Sequence, residues 1–251
     1  MLSFILVCAS GFSGLGAPSV PVAVEAPVAD TGSISGKVVW EGDRPDPRPP
    51  LKIKDTETKG CIHEGGVDTE DRTLLIDANG GVANVVLTIK ATDVKVPESP
   101  IELDQKGCRF EPRVIVVPVG ATVRYANSDE TNHNIHTFAK KNQPLNKNVA
   151  GGTHLEQTFS KAEVVEVKCD VHTWMKSYVV VTDASNFAVS ARDGSFKIEG
   201  LPPGEYKVEW WHEELGKGKT ETIKVEAGKD SPMTLKVSAS SKKKKGGRRR
   251  R

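Results

Sequence analysis

The sequence predicts an all-β protein, and three observations support this. Short runs rich in valine, isoleucine and threonine alternate apolar and polar residues, as in "TVRYAN" and "EVVEVK". Turn-forming residues separate these runs, as in "PVGA", "ARDG" and "LPPG". Charged residues make up 27% of the 251-residue chain, which suits a water-soluble fold with its own core. We therefore expect one or two β-domains.

The two ends do not belong to the predicted fold. Residues 1–32 begin with the uncharged stretch "MLSFILVCASGFSGLGA" and continue into a linker rich in proline and alanine. The stretch resembles the hydrophobic part of a secretory signal and is too short and too rich in glycine and serine for a membrane span. It predicts an exported protein, periplasmic or at the cell surface.

Residues 239–251 form a basic tail that ends in "KKKKGGRRRR", with eight positive charges. The rest of the chain carries 27 basic and 33 acidic residues, so the predicted folded part is mildly acidic. The tail has no aromatic residue to stack on a base, and its composition is typical of a disordered segment. We therefore predict no nucleic-acid partner.

Three cysteines lie outside the signal-like segment, and an odd number leaves one thiol unpaired. Cys61 and Cys108 both follow a Lys-Gly pair, and a disulfide between them would close a separation of 47 residues. Such a bond would stabilise the fold by about 4 kcal/mol on the chain-entropy model. The alternative is a second metal site formed by Cys61 and His63. Cys169 is the remaining thiol in either case.

The remaining thiol belongs to a cluster of potential metal ligands in "VKCDVHTWMK". Cys169 shares a strand face with Val165 and Val167, so we expect its side chain to point inward. The following turn can direct His172 and Met175 back toward the same point.

A fourth donor lies upstream, in "NHNIHTF". His133 and Ile135 share one face of a predicted strand, and His136 lies on the other. If Ile135 marks the inward face, His133 is the histidine that faces the core.

The four donor types together favour copper. A thiolate and two imidazoles with a weak thioether suit both oxidation states of copper, whereas zinc gains little from a thioether. A catalytic thiol and imidazole pair would need an orienting group and oxyanion donors, and Met175 has no part in such chemistry. The remaining alternative places Cys169 and Met175 in the core as ordinary apolar residues, with the histidines on the surface.

The stretch from about Gly107 to Asp183 resembles the cupredoxins, most closely amicyanin and plastocyanin. The resemblance rests on "VPVGATVRYANSD", on "HNIHTF" and on the spacing of "CDVHTWM". It implies a Greek-key β-sandwich over residues 93–183 that holds one type 1 copper ion. The implied ligands are His133, Cys169, His172 and Met175.

The same resemblance implies two supporting residues. Asn134 matches the asparagine that ties the first ligand strand to the cysteine loop. Trp174 stands beside Thr173 where amicyanin has phenylalanine and proline, and it would form an apolar rim around His172. In this family electrons leave through the edge of the second histidine.

The flanking sequences resemble a transthyretin-like, or carboxypeptidase regulatory-like, β-sandwich. The resemblance rests on "GKVV", "ANVVLTIK", the Asp193-Gly194 turn and "LPPGEYKV". We expect residues 33–92 and 184–238 to form the two parts of this second sandwich, with the copper domain inserted between them. The alternative is three consecutive small units. In "EWWHEELG", alternation places Trp210 and Trp211 on opposite faces, either as packing residues or with one exposed to bind a sugar or a protein.

Two functions are compatible with these patterns. The first is an exported electron-transfer protein that cycles copper between two oxidation states and meets a redox partner protein. The second is a copper storage, delivery or adhesive protein with no electron-transfer role. No carboxylate pair, nucleophile motif or phosphate-binding loop indicates an enzyme.

Overall fold

The computed structural model describes residues 30–54, 58, 60–61 and 67–239, and all regular elements in these ranges are β-strands. The all-β prediction is confirmed. No helix long and apolar enough to cross a membrane occurs in the described ranges. The signal-like stretch "MLSFILVCASGFSGLGA", His63 and the basic stretch "KKKKGGRRRR" lie outside the described residues.

The strands are β1 (Gly32–Trp40), β2 (Val86–Ile89), β3 (Ile101–Gln105), β4 (Phe110–Glu111), β5 (Val114–Pro118), β6 (Thr122–Asn127), β7 (His133–Thr137), β8 (Leu145–Val149), β9 (His154–Thr158), β10 (Glu163–Lys168), β11 (Lys176–Thr182), β12 (Asn186–Val189), β13 (Ser195–Leu201), β14 (Gly204–His212), β15 (Gly216–Lys217), β16 (Glu221–Val225) and β17 (Asp230–Val237).

The middle of the chain forms two sheets around one core. One sheet has the strand order β5-β11-β10-β7-β8, and the other has the order β4-β3-β6-β9. Burial alternates along β6, because one face of each strand turns toward the other sheet. The largest side chains of this core include Leu103, Phe110, Tyr125, Ile135 and Phe159.

The strands on either side of this region share two further sheets. β1 pairs with β13 and β17, and β2 pairs with β12 and β14. Their core includes Ile34, Leu87, Ile198 and Leu235. Three consecutive independent units would not share sheets in this way, so the pairing favours an insertion. The boundaries at residues 93 and 184 and the transthyretin-like nature of the flanks remain predictions.

A valine-rich cluster joins the middle region, which contains β3 to β11, to the flank, which contains β1, β2 and β12 to β17. Every residue of β5 is buried, because Ile115 and Val117 face the middle core while Val114 and Val116 face the flank. Trp211 packs edge to face on Tyr178, with ring centroids 5.2 Å apart. Trp210 packs into the core of the flank, so both tryptophans have packing roles.

A buried ion pair crosses the same interface. The Arg113 guanidinium donates from Nε and Nη2 to the two carboxylate oxygens of Glu213, at 2.8 Å each. The side chains are only 9% and 2% exposed. Arg113 Nη1 also donates to the carbonyl of Lys176, at 3.0 Å. The flank thereby fixes the first residue of β11, immediately after Met175.

We expect Glu213→Ala to lower the free energy of unfolding by about 3–5 kcal/mol, because it leaves the buried guanidinium without its counter-ion. The double variant Arg113→Met/Glu213→Leu should lose much less, since it removes both charges. Urea denaturation followed by tryptophan fluorescence measures both.

The matched control is Glu156→Ala. The Arg124–Glu156 pair is 41% exposed on both sides, and loss of such a pair costs about 0–1 kcal/mol. Equal losses for Glu213→Ala and Glu156→Ala would contradict a structural role for the buried pair.

Candidate metal centre

Strand pairing brings three potential ligands together at one end of the middle sheets. β10 lies between β7 and β11, with Lys168 opposite both His136 and Lys176. The chain after β10 therefore runs beside the start of β7, where His133 lies. The Nδ1 atoms of His133 and His172 are 2.9 Å apart, and Cys169 Sγ lies 3.8 Å from His172 Nδ1. One donor atom from each of the three residues falls within 4.8 Å of the others.

The Cys169 sulfur is held as an acceptor. It accepts the backbone N–H groups of Asn134 at 3.3 Å and of His172 at 3.4 Å. Cys169 is also the free cysteine of the described residues and is only 2% exposed. A buried cysteine sulfur beside two imidazole nitrogens fits the donor preferences of copper.

Backbone hydrogen bonds within the loop of residues 169–175 hold its two ends together. The Met175 N–H donates to the His172 carbonyl at 2.9 Å, and the Met175 carbonyl accepts the Cys169 N–H at 3.4 Å. Because Lys168 and Lys176 pair directly across the base of the loop, its length is fixed by the sheet. Met175 is 1% exposed and belongs to the same core cluster as Cys169.

His136 lies away from this cluster. Its Nδ1 is 3.0 Å from Asp170 Oδ1, and its ring stacks on Phe138 with centroids 4.1 Å apart. Its hydrogen bond lowers the pKa of the Asp170 carboxyl below the usual value. His133, by contrast, is 1% exposed beside the fully buried Ile135.

Asn134 joins β7 to the cysteine loop at two points and to β8 at a third. Besides its N–H to Cys169, its side-chain oxygen accepts the Asp170 N–H at 3.2 Å. Its amide nitrogen donates to Asn146 Oδ1 at 2.8 Å. These bonds fix the distance between β7 and the loop.

Asp129 is a supporting residue that the sequence analysis missed. Its Oδ2 lies 2.8 Å from His133 Nε2 and also accepts the Cys108 N–H, while Oδ1 accepts the Gly107 N–H. When a histidine binds a metal through one ring nitrogen, a carboxylate bonded to the other ring nitrogen fixes the orientation of the ring. An acid four residues before His133 was a weak signal, because it falls in a polar turn that contains other acids and asparagines.

The disulfide lies beside the Nε2 atoms of His133 and His172. Cys61 and Cys108 are disulfide-bonded, with Cys61 Sγ 3.6 Å from His172 Nε2 and Cys108 Sγ 3.8 Å from His133 Nε2. The Trp174 indole N–H donates to the Cys108 carbonyl at 3.0 Å, and its ring centroid is 5.2 Å from that of His172. His172 is consequently only 5% exposed. The family resemblance implies an electron exit at this edge, but here sulfur and indole cover it.

Comparisons with known proteins support the assignment of the middle region. Residues 98–182 match the family of copper binding proteins described as plastocyanin/azurin, over about a third of the chain. The predicted resemblance of this region to cupredoxins is thus confirmed. No curated protein matches the chain closely enough to count as a relative.

Several solved structures are similar to parts of the chain. A reduced mutant of amicyanin is 26% identical and covers 38% of this chain and 98% of its own, with a TM-score of 0.32. A purple cupredoxin from Nitrosopumilus maritimus is 22% identical and covers 33% of this chain and 99% of its own, with a TM-score of 0.29. A copper-containing nitrite reductase from Thermus scotoductus SA-01 is 23% identical, with a TM-score of 0.33; the match covers 36% of this chain and only 25% of the reductase. On the family match, residues 98–182 are similar to a copper-binding domain of the plastocyanin/azurin family.

Proposed function

We propose that this chain is an exported blue-copper electron-transfer protein with one type 1 site. The observation that carries the proposal is the convergence of His133, His172 and Cys169 in a buried cluster, with Met175 in the loop that also holds Cys169 and His172. Copper, when bound, supplies a one-electron couple between its two oxidation states.

The protein's own contribution is to hold the donors in place before and after an electron arrives. Asp129 orients His133, and two backbone N–H groups orient the Cys169 sulfur. The hydrogen bonds within the loop fix His172 and Met175 relative to Cys169. Donors that cannot rearrange favour a rapid change of oxidation state, because little structural reorganisation accompanies it.

The burial of the donors argues against the other functions considered. His133, Cys169, His172 and Met175 are each 5% exposed or less. Catalytic metal sites keep a coordination position open for substrate, and storage or delivery requires access for a partner that exchanges the ion. We therefore propose electron transfer without an enzymatic reaction, and disfavour storage or delivery.

The surroundings support an exported protein that meets a redox partner. The disulfide is compatible with an oxidising compartment such as the periplasm or the cell surface. Val171 lies within the ligand loop and is 58% exposed. An exposed apolar residue there would contact a docked redox protein close to the donors.

We expect the purified chain with one equivalent of Cu(II) to show an intense visible band that bleaches with ascorbate and returns on oxidation. The band arises from the thiolate, so Cys169→Ser should abolish it. Cys61→Ser/Cys108→Ser should keep a visible band, because neither sulfur is a ligand in the proposed site. Absorption spectra of the three proteins decide this, and a band that survives Cys169→Ser would contradict the proposal.

We expect Met175→Leu to retain the visible band but to raise the reduction potential, because losing a weak donor disfavours the more highly charged Cu(II). A spectroelectrochemical titration measures the potential. Met233→Leu is the matched control, since Met233 lies in the flank and packs on the second core. Equal shifts in both variants would remove Met175 from the site.

We expect His133→Ala to lower copper affinity by more than about 100-fold, and Asp129→Asn by about 10–100-fold, as is typical for groups that orient a ligand. His136→Ala should change the affinity little. Competition with a copper chelator measures all three. If His136→Ala loses copper and His133→Ala retains it, the assignment of the inward-facing histidine is wrong.

A further inference from the structure

The Cys61–Cys108 disulfide places two more sulfur atoms against the ligand histidines, on the side away from Cys169. The Nδ1 atoms of His133 and His172 face each other, whereas their Nε2 atoms face the disulfide. We propose that reduction of this disulfide creates a second soft-metal site, in which the thiolates of Cys61 and Cys108 and Nε2 of His172 bind Cu(I).

The positions of the donor atoms support this site. Cys61 Sγ, Cys108 Sγ and a ring nitrogen of His172 all lie within 4.8 Å of one another, and all three residues are buried. The Cα atoms of the two cysteines are 5.2 Å apart, so both thiols can reach one ion after reduction. Two thiolates and an imidazole form a soft donor set of the kind that Cu(I) prefers.

The backbone holds both cysteines independently of the S–S bond. The Cys108 N–H donates to Asp129 at 2.8 Å, and the Cys108 carbonyl accepts the Trp174 indole N–H at 3.0 Å. The Cys61 N–H donates to the Thr58 carbonyl at 2.9 Å. The Cys108 contacts, and the full burial of Cys61 in the core cluster that also holds Cys108 and Cys169, keep the two thiols near His172 once the covalent bond is broken.

The chemistry requires a dithiol reductant and a source of Cu(I). The dithiol attacks one sulfur of the disulfide, the S–S bond breaks, and a second attack releases two protein thiols and a cyclic disulfide. Two electrons pass to the protein, and the dithiol is oxidised by the same number. Cu(I) then replaces the two thiol protons and, when the first site is also filled, the Nε2 proton of His172, which becomes an imidazolate between the two ions; the three protons pass to solvent and the oxidation state of copper does not change. His172 would present Nδ1 to the first site and Nε2 to the second.

Counting bound Cu(I) in the two disulfide states tests the proposal. The chain carries Cys8→Ser so that its fourth cysteine adds no thiol, and dithiothreitol is removed by anaerobic desalting before titration. Cu(I) is then titrated against the chelator bathocuproine. The oxidised protein should bind one Cu(I) per chain with high affinity, and the reduced protein should bind two. A reduced protein that binds only one overturns the proposal.

Two variants separate this site from the proposed type 1 site. With Cys169→Ala, tight Cu(I) binding should appear only after reduction, with two sulfur neighbours per copper in the X-ray absorption spectrum. With Cys108→Ser, the protein should bind one Cu(I) whether or not it has been treated with the dithiol. A second Cu(I) that persists in Cys108→Ser would overturn the second site. Loss of the visible Cu(II) band in the oxidised protein would instead count against the type 1 site alone.

Circular dichroism shows whether reduction itself alters the fold. We expect the reduced, metal-free protein to keep its β-sheet signal, because the backbone contacts of Cys61 and Cys108 do not depend on the S–S bond. A reduced chain that unfolds and does not regain the signal with Cu(I) would overturn the proposal.

Discussion

The candidate metal centre depends on the position of β10 between two strands. Pairing with β11 fixes the two ends of the loop of residues 169–175 opposite each other, and pairing with β7 brings His133 beside that loop. Hydrogen bonds from Asn134 and within the loop then set the finer distances. A slip of one residue in either pairing would turn the inward side chains outward and separate the donors.

Further contacts stabilise this arrangement from outside the two sheets. The flank reaches the end of the loop through Arg113, whose guanidinium binds both Glu213 and the Lys176 carbonyl. The disulfide and Trp174 cover the outer edges of the imidazoles. The disulfide and Trp174 therefore explain why His133 and His172 remain almost fully buried, whereas Arg113 fixes the end of the loop.

Local sequence patterns predicted the parts of the structure that depend on local geometry. Alternation in "EVVEVK" indicated that Val165 and Val167 face the core, and runs of this kind predicted the all-β fold. Sequence patterns could not predict that Asp129 binds the outer nitrogen of His133, because a turn acid has many possible partners. Nor could sequence patterns predict that the disulfide lies beside the Nε2 atoms of His133 and His172. Both contacts depend on how distant segments meet after the sheets have packed.

The pairing of β1 with β17 has a consequence for the order in which the protein folds. These strands are parallel over eight residue pairs from Ser33–Asp230 to Trp40–Val237, although about three quarters of the chain separates them. Closing so long a loop in an unfolded chain costs conformational entropy and slows folding. The middle region shortens this path once it has formed, because Ile89 pairs with Asn186 and Lys90 binds Asp183 where the chain enters and leaves it. The folded middle region would then hold the two parts of the flank close together, and the sheets that contain β1 and β2 would assemble last.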